Sequence, residues 1–258
     1  MNYIGIDIGS TCAKTVVLNE KKEIIQEFVQ PTGWSSVDTA EEIHQKLELA
    51  GINLSDDSSC CVATGYGRIS VPYADKTVTE ITCHALGAVH LFQQPDLTVI
   101  DIGGQDTKII QIEQGFVKDF IMNDKCAAGT GRFLEVMANT LSLRPNEMFD
   151  LARLGSDTTI SSMCTVFAES EVIGLIGKGE PKENIAYAVV DSTIRKVTAQ
   201  VSRMNGEMST FCLTGGLCEC EYIRGALSKK LGKEVISSPD ARYAGAIGAA
   251  LRAMKIRK

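Results

Sequence analysis

The sequence predicts an α/β protein built from two related halves. Residues 4–18, IGIDIGSTCAKTVVL, match residues 98–112, TVIDIGGQDTKIIQI, at a constant offset of 94 positions. Each copy has an apolar strand, a glycine-containing turn and a second apolar strand, which is the pattern of a β-hairpin. Other segments have the apolar spacing of amphipathic helices. Strands and helices in a duplicated arrangement indicate the α/β class.

Composition restricts the class of protein. The 258 residues suffice for one large or two small domains, and the net charge of −6 comes without a basic patch, which disfavours nucleic acid as a partner. No apolar run approaches the ~20 residues that span a bilayer. The first residues, MNYIGIDIG, lack the features of a signal peptide. We therefore expect a cytoplasmic protein that binds neither nucleic acid nor membrane.

An aspartate stands at the same place in each copy of the repeat. Asp7 aligns with Asp101, and Lys14 aligns with Lys108. An aspartate beside a glycine turn can hold hydrated Mg²⁺ or orient an attacking water. We predict catalytic roles for both aspartates, with Gln105 positioning the water.

The turns of both hairpins predict a phosphate site. Glycines let the backbone approach a phosphate closely, and neighbouring groups supply donors. The predicted contacts are Gly9, Ser10, Thr11, Lys14, Gly103, Gly104 and Asp106. Two such hairpins facing each other would clamp a triphosphate, whereas the alternative is two ordinary hairpins with polar tips.

A third glycine turn follows another predicted strand. Residues 211–219, FCLTGGLCE, run from an apolar strand through Thr214, Gly215 and Gly216 into a helix. A glycine pair at such a turn permits close approach of the sugar and α-phosphate of a nucleotide. A plain strand-to-helix turn would look the same if it stood alone.

The order of acid hairpin, acid hairpin and Gly-Gly turn resembles the actin, heat-shock-70 and sugar-kinase ATPase superfamily over nearly the whole chain. The resemblance implies two ribonuclease-H-like (actin/sugar-kinase-like) domains with an interdomain nucleotide cleft. Domain I would be residues 1–96 plus 241–258, and domain II residues 97–240. The segment AGAIGAALRA, residues 244–253, would form a helix crossing back between the domains, with small residues that allow tight contact.

Nine cysteines are many for a chain expected in the cytoplasm. Their odd number and the missing signal peptide argue against a disulfide framework. Cys126 and Cys164 each stand just before a segment of helical periodicity, and a helix N-terminus stabilises a thiolate. The bare sequence equally allows two buried structural thiols.

Two thiolates per chain cannot complete a four-thiolate cluster, but two chains can. We predict that Cys126 and Cys164 from both subunits of a twofold dimer hold one 4Fe–4S cluster. A structural zinc at the same four cysteines is an alternative. The CxC pair Cys218 and Cys220 could bind a second metal, although we expect that it does not.

Four segments make the resemblance more specific: NDKCAAGTGRFLEVMA, CTVFAESEVI, ATGYGR and DIGGQD. They resemble the activator component of 2-hydroxyacyl-CoA dehydratases, of the BadF/BadG/BcrA/BcrD ATPase type. The resemblance implies an oxygen-sensitive homodimeric ATPase with MgATP or MgADP and one 4Fe–4S cluster. It would pass an electron from ferredoxin or flavodoxin to an iron–sulfur dehydratase or reductase, and Cys126 and Cys164 match the cluster ligands.

Other interpretations stay open at this stage. A small-metabolite kinase of the same superfamily, or an ATPase that binds a protein client without redox chemistry, would share the nucleotide motifs. Glu80 and His84 are expected to form a satisfied polar pair on a helix. The loop TGYGR, residues 64–68, is expected at a domain edge near the nucleotide or a partner.

Overall fold

The computed structural model describes residues 1–54, 57–161, 164–205 and 210–256. Contacts divide the chain into two compact units, Met1–Leu97 with Ile112–Lys118 and Asp240–Lys258, and Thr98–Gln111 with Asp119–Pro239. The sequence assigned all of 97–240 to one domain, yet Ile112–Lys118 groups with the first unit. In that segment the Gly115 N–H donates to the Pro95 carbonyl at 2.8 Å. The functional domain bounds stay a prediction.

The described residues form two five-stranded sheets. The strands of the first sheet are β1 (Asn2–Ile8), β2 (Cys12–Leu18), β3 (Ile24–Pro31), β4 (Ser59–Thr64) and β5 (Lys76–Thr77). Those of the second are β6 (Leu97–Ile102), β7 (Thr107–Glu113), β8 (Phe116–Asn123), β9 (Thr210–Gly215) and β10 (Val235–Ile236). The orders are β3-β2-β1-β4-β5 and β8-β7-β6-β9-β10, so both sheets have the same topology. The predicted α/β fold with a duplicated half is confirmed.

Helices cover the sheets. They are α1 (Ser36–Leu49), α2 (Glu80–Phe92), α3 (Gly131–Thr140), α4 (Pro145–Ala152), α5 (Thr165–Gly177), α6 (Lys182–Val201), α7 (Glu221–Leu231) and α8 (Ala244–Ile256). Among the described residues, no helix is both long and apolar enough to cross a membrane.

The central strand β1 has two different faces because side chains alternate along a strand. Its isoleucines Ile4, Ile6 and Ile8 pack into one apolar cluster with α1. Gly5 and Asp7 therefore lie on the opposite face, which α8 contacts. This alternation places the Asp7 carboxylate beneath a helix of small residues.

Helix α8 packs on β1 and α2 at very short range. A Cβ at Gly5 would lie 1.9 Å from the Ala246 carbonyl oxygen, and one at Gly87 would lie 1.9 Å from that of Ala244. The predicted close packing of this small-residue helix is confirmed. Its passage between two domains stays a prediction.

We expect Gly248→Ala to destabilise the fold by about 1–3 kcal/mol or more through overpacking. Its Cβ would lie 1.8 Å from the Cys83 carbonyl oxygen of α2, and backbone cannot move aside cheaply. Urea unfolding measures the change. The matched control is Gly225→Ala in α7, where a Cβ meets nothing within 4 Å, so a gain of about 0.5–1 kcal/mol is expected. Equal stability of the two variants would contradict the close packing.

The predicted apolar face of α3 is confirmed. Phe133, Leu134, Met137, Ala138 and Leu141 are all buried in the core of the second unit. The helix begins close behind Cys126, as predicted, but not at the residue directly after it. It begins at Gly131 because Gly129 has a φ of +86° and the Thr130 N–H donates to the Ala127 carbonyl, which forms a turn instead.

Helix α5 has the opposite character. It begins directly after Cys164, as predicted, and its buried residues are Ala168 and Val172. Its apolar residues Val166, Ile173 and Ile176 are exposed. Apolar spacing identified the helix, but it did not show which side faces the core.

Candidate functional site

The first hairpin holds Asp7 near the end of the central strand. Asp7 is paired in register with Lys14 on β2 and with Thr64 on β4. It is 2% exposed, and its Oδ1 atom has no hydrogen-bond partner. A buried carboxylate oxygen without a partner is costly, so it indicates a position prepared for a ligand.

Glycines flank both oxygens of the Asp7 carboxylate. A Cβ at Gly65 would lie 2.5 Å from Oδ1, and a Cβ at Gly245 would lie 2.5 Å from Oδ2. Gly65 also has a φ of +84°, which side chains rarely adopt. The fold therefore keeps a small space open at each oxygen.

The predicted phosphate-binding turn follows Asp7. The Gly9 N–H donates to the Cys12 carbonyl at 3.1 Å, which closes the turn. Thr32, which directly follows β3, stabilises the turn because its hydroxyl donates to the Gly9 carbonyl at 2.7 Å. Ser10 is half-buried and Thr11 is exposed. The turn is thus rigid at its base and accessible at its tip.

The second hairpin contains a buried charge network. The ammonium of Lys108 lies 3.2 Å from Asp101 Oδ2 and 2.8 Å from Asp106 Oδ2. The Thr214 hydroxyl donates to Asp101 Oδ1 at 2.7 Å. All four residues are buried. Both oxygens of Asp101 therefore have protein partners, whereas Oδ1 of Asp7 has none.

The predicted glycine turns of the second unit lie around this network. A Cβ at Gly103 would lie 2.3 Å from Asp106 Oδ1, and one at Gly215 would lie 2.4 Å from the Ile102 carbonyl oxygen. The Gly216 N–H donates to that same carbonyl at 3.2 Å. The Gly-Gly turn and the second hairpin are thus in direct contact.

The exposed part of this second turn is accessible. Gln105 is exposed and Gly104 is half-buried. The structure therefore places Asp101, Asp106, Thr214 and both glycine turns together, with Gln105 outermost. The clamping of one triphosphate by both hairpins stays a prediction.

The two predicted cluster cysteines lie on accessible segments of the second unit. Cys126 is half-buried in the loop before α3, and Cys164 is exposed at the N-cap of α5. The Asn123 amide donates to the Cys126 carbonyl at 2.8 Å and to the Ala128 carbonyl at 3.2 Å, which orders the first loop. Both thiols could reach a ligand from outside the chain.

Several other cysteines are unsuited to metal binding because they are buried. Burial raises the pKa of the Cys83 thiol to about 12, and it also raises the pKa values of Cys61 and Cys212. These groups stay neutral thiols, whereas thiolates bind metals. In the described ranges, no group of three or more His, Cys, Asp or Glu side chains is placed to hold a metal ion.

A sequence profile of the BadF/BadG/BcrA/BcrD ATPase family matches residues 4–253, which is nearly the entire chain. The chain belongs to this ATPase family. The predicted family resemblance and the classification as an ATPase are confirmed.

Several relatives of this BadF/BadG/BcrA/BcrD ATPase are named as activators. The (R)-2-hydroxyglutaryl-CoA dehydratase activating ATPase of Acidaminococcus fermentans is 45% identical, over 98% of this chain and 96% of the relative. The activator of lactoyl-CoA dehydratase of Anaerotignum propionicum is 41% identical, over 98% of this chain and 97% of the relative. The structure of the 2-hydroxyisocaproyl-CoA dehydratase activator from Clostridium difficile with bound ADPNP matches with a TM-score of 0.90 and 35% identity. The match covers 100% of this chain and 96% of that one.

The structure adds residues that the sequence interpretation of this family member left out. Lys108 pairs with the buried carboxylates of Asp101 and Asp106 in the second hairpin. Its alignment with Lys14 in the sequence repeat could have identified it. Gly65 and Gly245 keep space at Asp7. Gly65 belongs to the loop TGYGR that was expected near the nucleotide or a partner, although its place beside Asp7 was not predicted. His84, expected in a polar pair with Glu80, places its Nδ1 3.1 Å from the Glu80 carbonyl oxygen.

Proposed function

We propose that the protein is an ATP-driven electron-transfer activator. A homodimer would take electrons from ferredoxin or flavodoxin, hold them on one shared 4Fe–4S cluster, and pass them to an iron–sulfur dehydratase or reductase. The activators of two CoA-ester dehydratases among its relatives support a dehydratase as the partner. The observation that carries the proposal is a direct connection between the second phosphate turn and the Cys126 loop.

That connection consists of three hydrogen bonds. The Gly131 N–H donates to the Gly103 carbonyl at 2.9 Å, and the Arg132 N–H donates to the Gly104 carbonyl at 2.8 Å. The Thr107 hydroxyl donates to the Gly129 carbonyl at 2.7 Å. A shift of the turn upon phosphate binding or hydrolysis would thus move the start of α3 and the loop that precedes it. Nucleotide and cluster would be two sites coupled through a rigid helix end.

The residues fit a MgATP site. Asp7 offers a buried oxygen without a partner beside open space, which suits Mg²⁺ or its bound water. The metal would neutralise phosphate charge. Asp101 would act differently, because Lys108 and Thr214 occupy its oxygens, and it would fix the second turn for phosphate contact and for water positioning by Gln105. Phosphoryl transfer needs mainly such positioning and electrostatics.

The thiols fit a shared cluster. Cys164 is exposed at a helix N-terminus and Cys126 is half-buried, so each is open to a partner chain. Two thiolates from each of two chains complete the four that a 4Fe–4S cluster needs. The cluster would supply one-electron redox chemistry.

An apolar surface on α5 supports dimerisation next to Cys164. Val166, Phe167, Ile173 and Ile176 are between 46% and 67% exposed on this helix. A second copy related to the first by a twofold axis near Cys164 would bury the same surface on both chains. Burial of apolar area is the main drive for such association.

We expect Phe167→Glu to convert the dimer to monomer and to remove the iron, because it places a charge in the buried contact. Light scattering after anaerobic gel filtration measures the mass. The control is Leu154→Glu, since Leu154 is 77% exposed and lies outside α5. A dimeric, iron-containing Phe167→Glu protein would show that α5 is not the interface.

The test of the proposed function is iron and acid-labile sulfide per dimer on protein purified without oxygen, with an EPR spectrum after dithionite reduction. About four iron and four sulfide per dimer are expected. Iron-free protein that still hydrolyses ATP would overturn the redox role, and turnover stimulated by a small metabolite would favour a kinase.

We expect Asp101→Asn to abolish ATP-driven electron transfer while the cluster stays intact. The change removes the charge that pairs with Lys108 and disturbs the turn next to the phosphates, but it leaves both cysteines unchanged. Iron content and ATP turnover of the same sample separate the two effects. If Asp101→Asn lost its iron as well as its ATP turnover, the result would count against the assigned roles.

A further inference from the structure

His84 is a buried histidine that has no role in the proposed nucleotide site so far. It is 5% exposed on α2, and its Nδ1 lies 3.1 Å from the Glu80 carbonyl oxygen of the preceding turn. A carbonyl only accepts hydrogen bonds, so Nδ1 carries the hydrogen of this contact. The bond fixes the orientation of the ring on its helix.

The His84 ring and the Asp7 carboxylate border the same small gap. A Cβ at Gly245 would lie 2.5 Å from Asp7 Oδ2 and 2.8 Å from His84 Cε1. Glycine at this position thus leaves open a gap that both the ring and the carboxylate border. The other oxygen, Oδ1, lies on the Gly65 side and has no hydrogen-bond partner.

The helix that carries His84 is firmly placed. Close contacts of Gly87 with Ala244 and of Gly248 with Cys83 lock α2 against α8. The ring position relative to Asp7 is therefore set by backbone packing rather than by a flexible side chain. Such support keeps a ligand-binding group in its productive geometry.

We infer that His84 is a positioning residue for Asp7, which restrains the carboxylate on the Oδ2 side so that Oδ1 is presented to Mg²⁺ or its bound water. This inference rests on the proposed MgATP site. If His84 had only a structural role, its substitution would weaken ADP binding by the same factor with and without Mg²⁺. A positioning His84 affects the part of nucleotide binding that depends on Mg²⁺.

The test is calorimetric titration of the dimer with ADP, with and without Mg²⁺. In His84→Leu we expect the Mg²⁺-dependent gain in ADP affinity to fall about tenfold, a loss of ~1.4 kcal/mol, with metal-free affinity unchanged. His84→Asn keeps an amide donor for the Glu80 carbonyl but is too short to border the gap, so it should show the same loss. His84→Gln reaches farther and should restore part of it. The control is His90→Gln, at the other end of α2.

The outcomes are distinct. Wild-type protein that does not bind ADP would overturn the proposed function itself. Wild-type binding with an unchanged Mg²⁺ effect in His84→Leu and His84→Asn would overturn only the role of His84, as would equal losses with and without metal.

A second measurement does not depend on the folding of His84 variants. The chain has three histidines, so His44→Gln and His90→Gln assign the ring signals of wild-type protein by elimination in ¹⁵N NMR. We expect the His84 ring signal to move when Mg²⁺ joins ADP, and not with ADP alone. An unmoved signal would overturn the inference.

Discussion

Replacing Cys164 with serine is expected to remove the iron and the visible absorbance of anaerobically purified protein. A serine hydroxyl does not provide the thiolate that an iron–sulfur cluster needs, and the shared site would lose two of its four ligands at once. Cys126→Ser should cause the same loss for the same reason. Iron analysis, sulfide analysis and the absorbance spectrum of each variant measure the effect.

The chain offers a closely matched control for Cys164. Cys220 is the N-cap residue of α7, as Cys164 is of α5. Serine is a good N-cap residue, so both substitutions should leave their helices intact. Cys220 is half-buried, and burial raises its pKa, which disfavours the thiolate. Cys220→Ser should therefore keep full iron content.

Two results would contradict the assignment. Full iron in Cys164→Ser would exclude this cysteine as a ligand. Stoichiometric zinc in place of iron, lost in the same variants, would keep the shared site but replace electron transfer with a structural role.

Replacing Lys108 with methionine is expected to destabilise the protein by about 3–5 kcal/mol. Lys108 is 1% exposed, and its ammonium is within 3.2 Å of Asp101 and 2.8 Å of Asp106. Without it, two buried carboxylates would lie close together with no cation between them. Breaking a buried pair from one side leaves charge that water cannot reach, so the effect is large. Urea unfolding measures it.

The aligned lysine of the first hairpin is the control. Lys14 is half-buried, so solvent can screen the charges around it, and Lys14→Met should change stability by no more than about 1 kcal/mol. The double variant Lys108→Met with Asp106→Asn removes one of the two stranded charges and should recover part of the loss. Equal stability of Lys108→Met and Lys14→Met would contradict the buried network.

Much of the fold follows from the sequence because it depends on local periodicity. The matched strands around Asp7 and Asp101 predicted two equivalent hairpins, and the two sheets have one topology. The apolar face of α3 was also predictable, since residues spaced three and four apart share a side. The first residue of α3 is set by a local turn, in which Gly129 has a positive φ.

The sequence by itself determined the family, the α/β fold and the two acid hairpins. Only the tertiary structure decided how the aspartates of the two hairpins differ in their hydrogen-bond partners. Asp7 and Asp101 are aligned in sequence, yet one keeps an oxygen without a partner while the other is bonded by Lys108 and Thr214. The reason is physical: partners such as Thr214 and flanking glycines such as Gly245 come from distant parts of the chain. Periodicity records which residues share a face, but burial and charge pairing arise only when the elements pack.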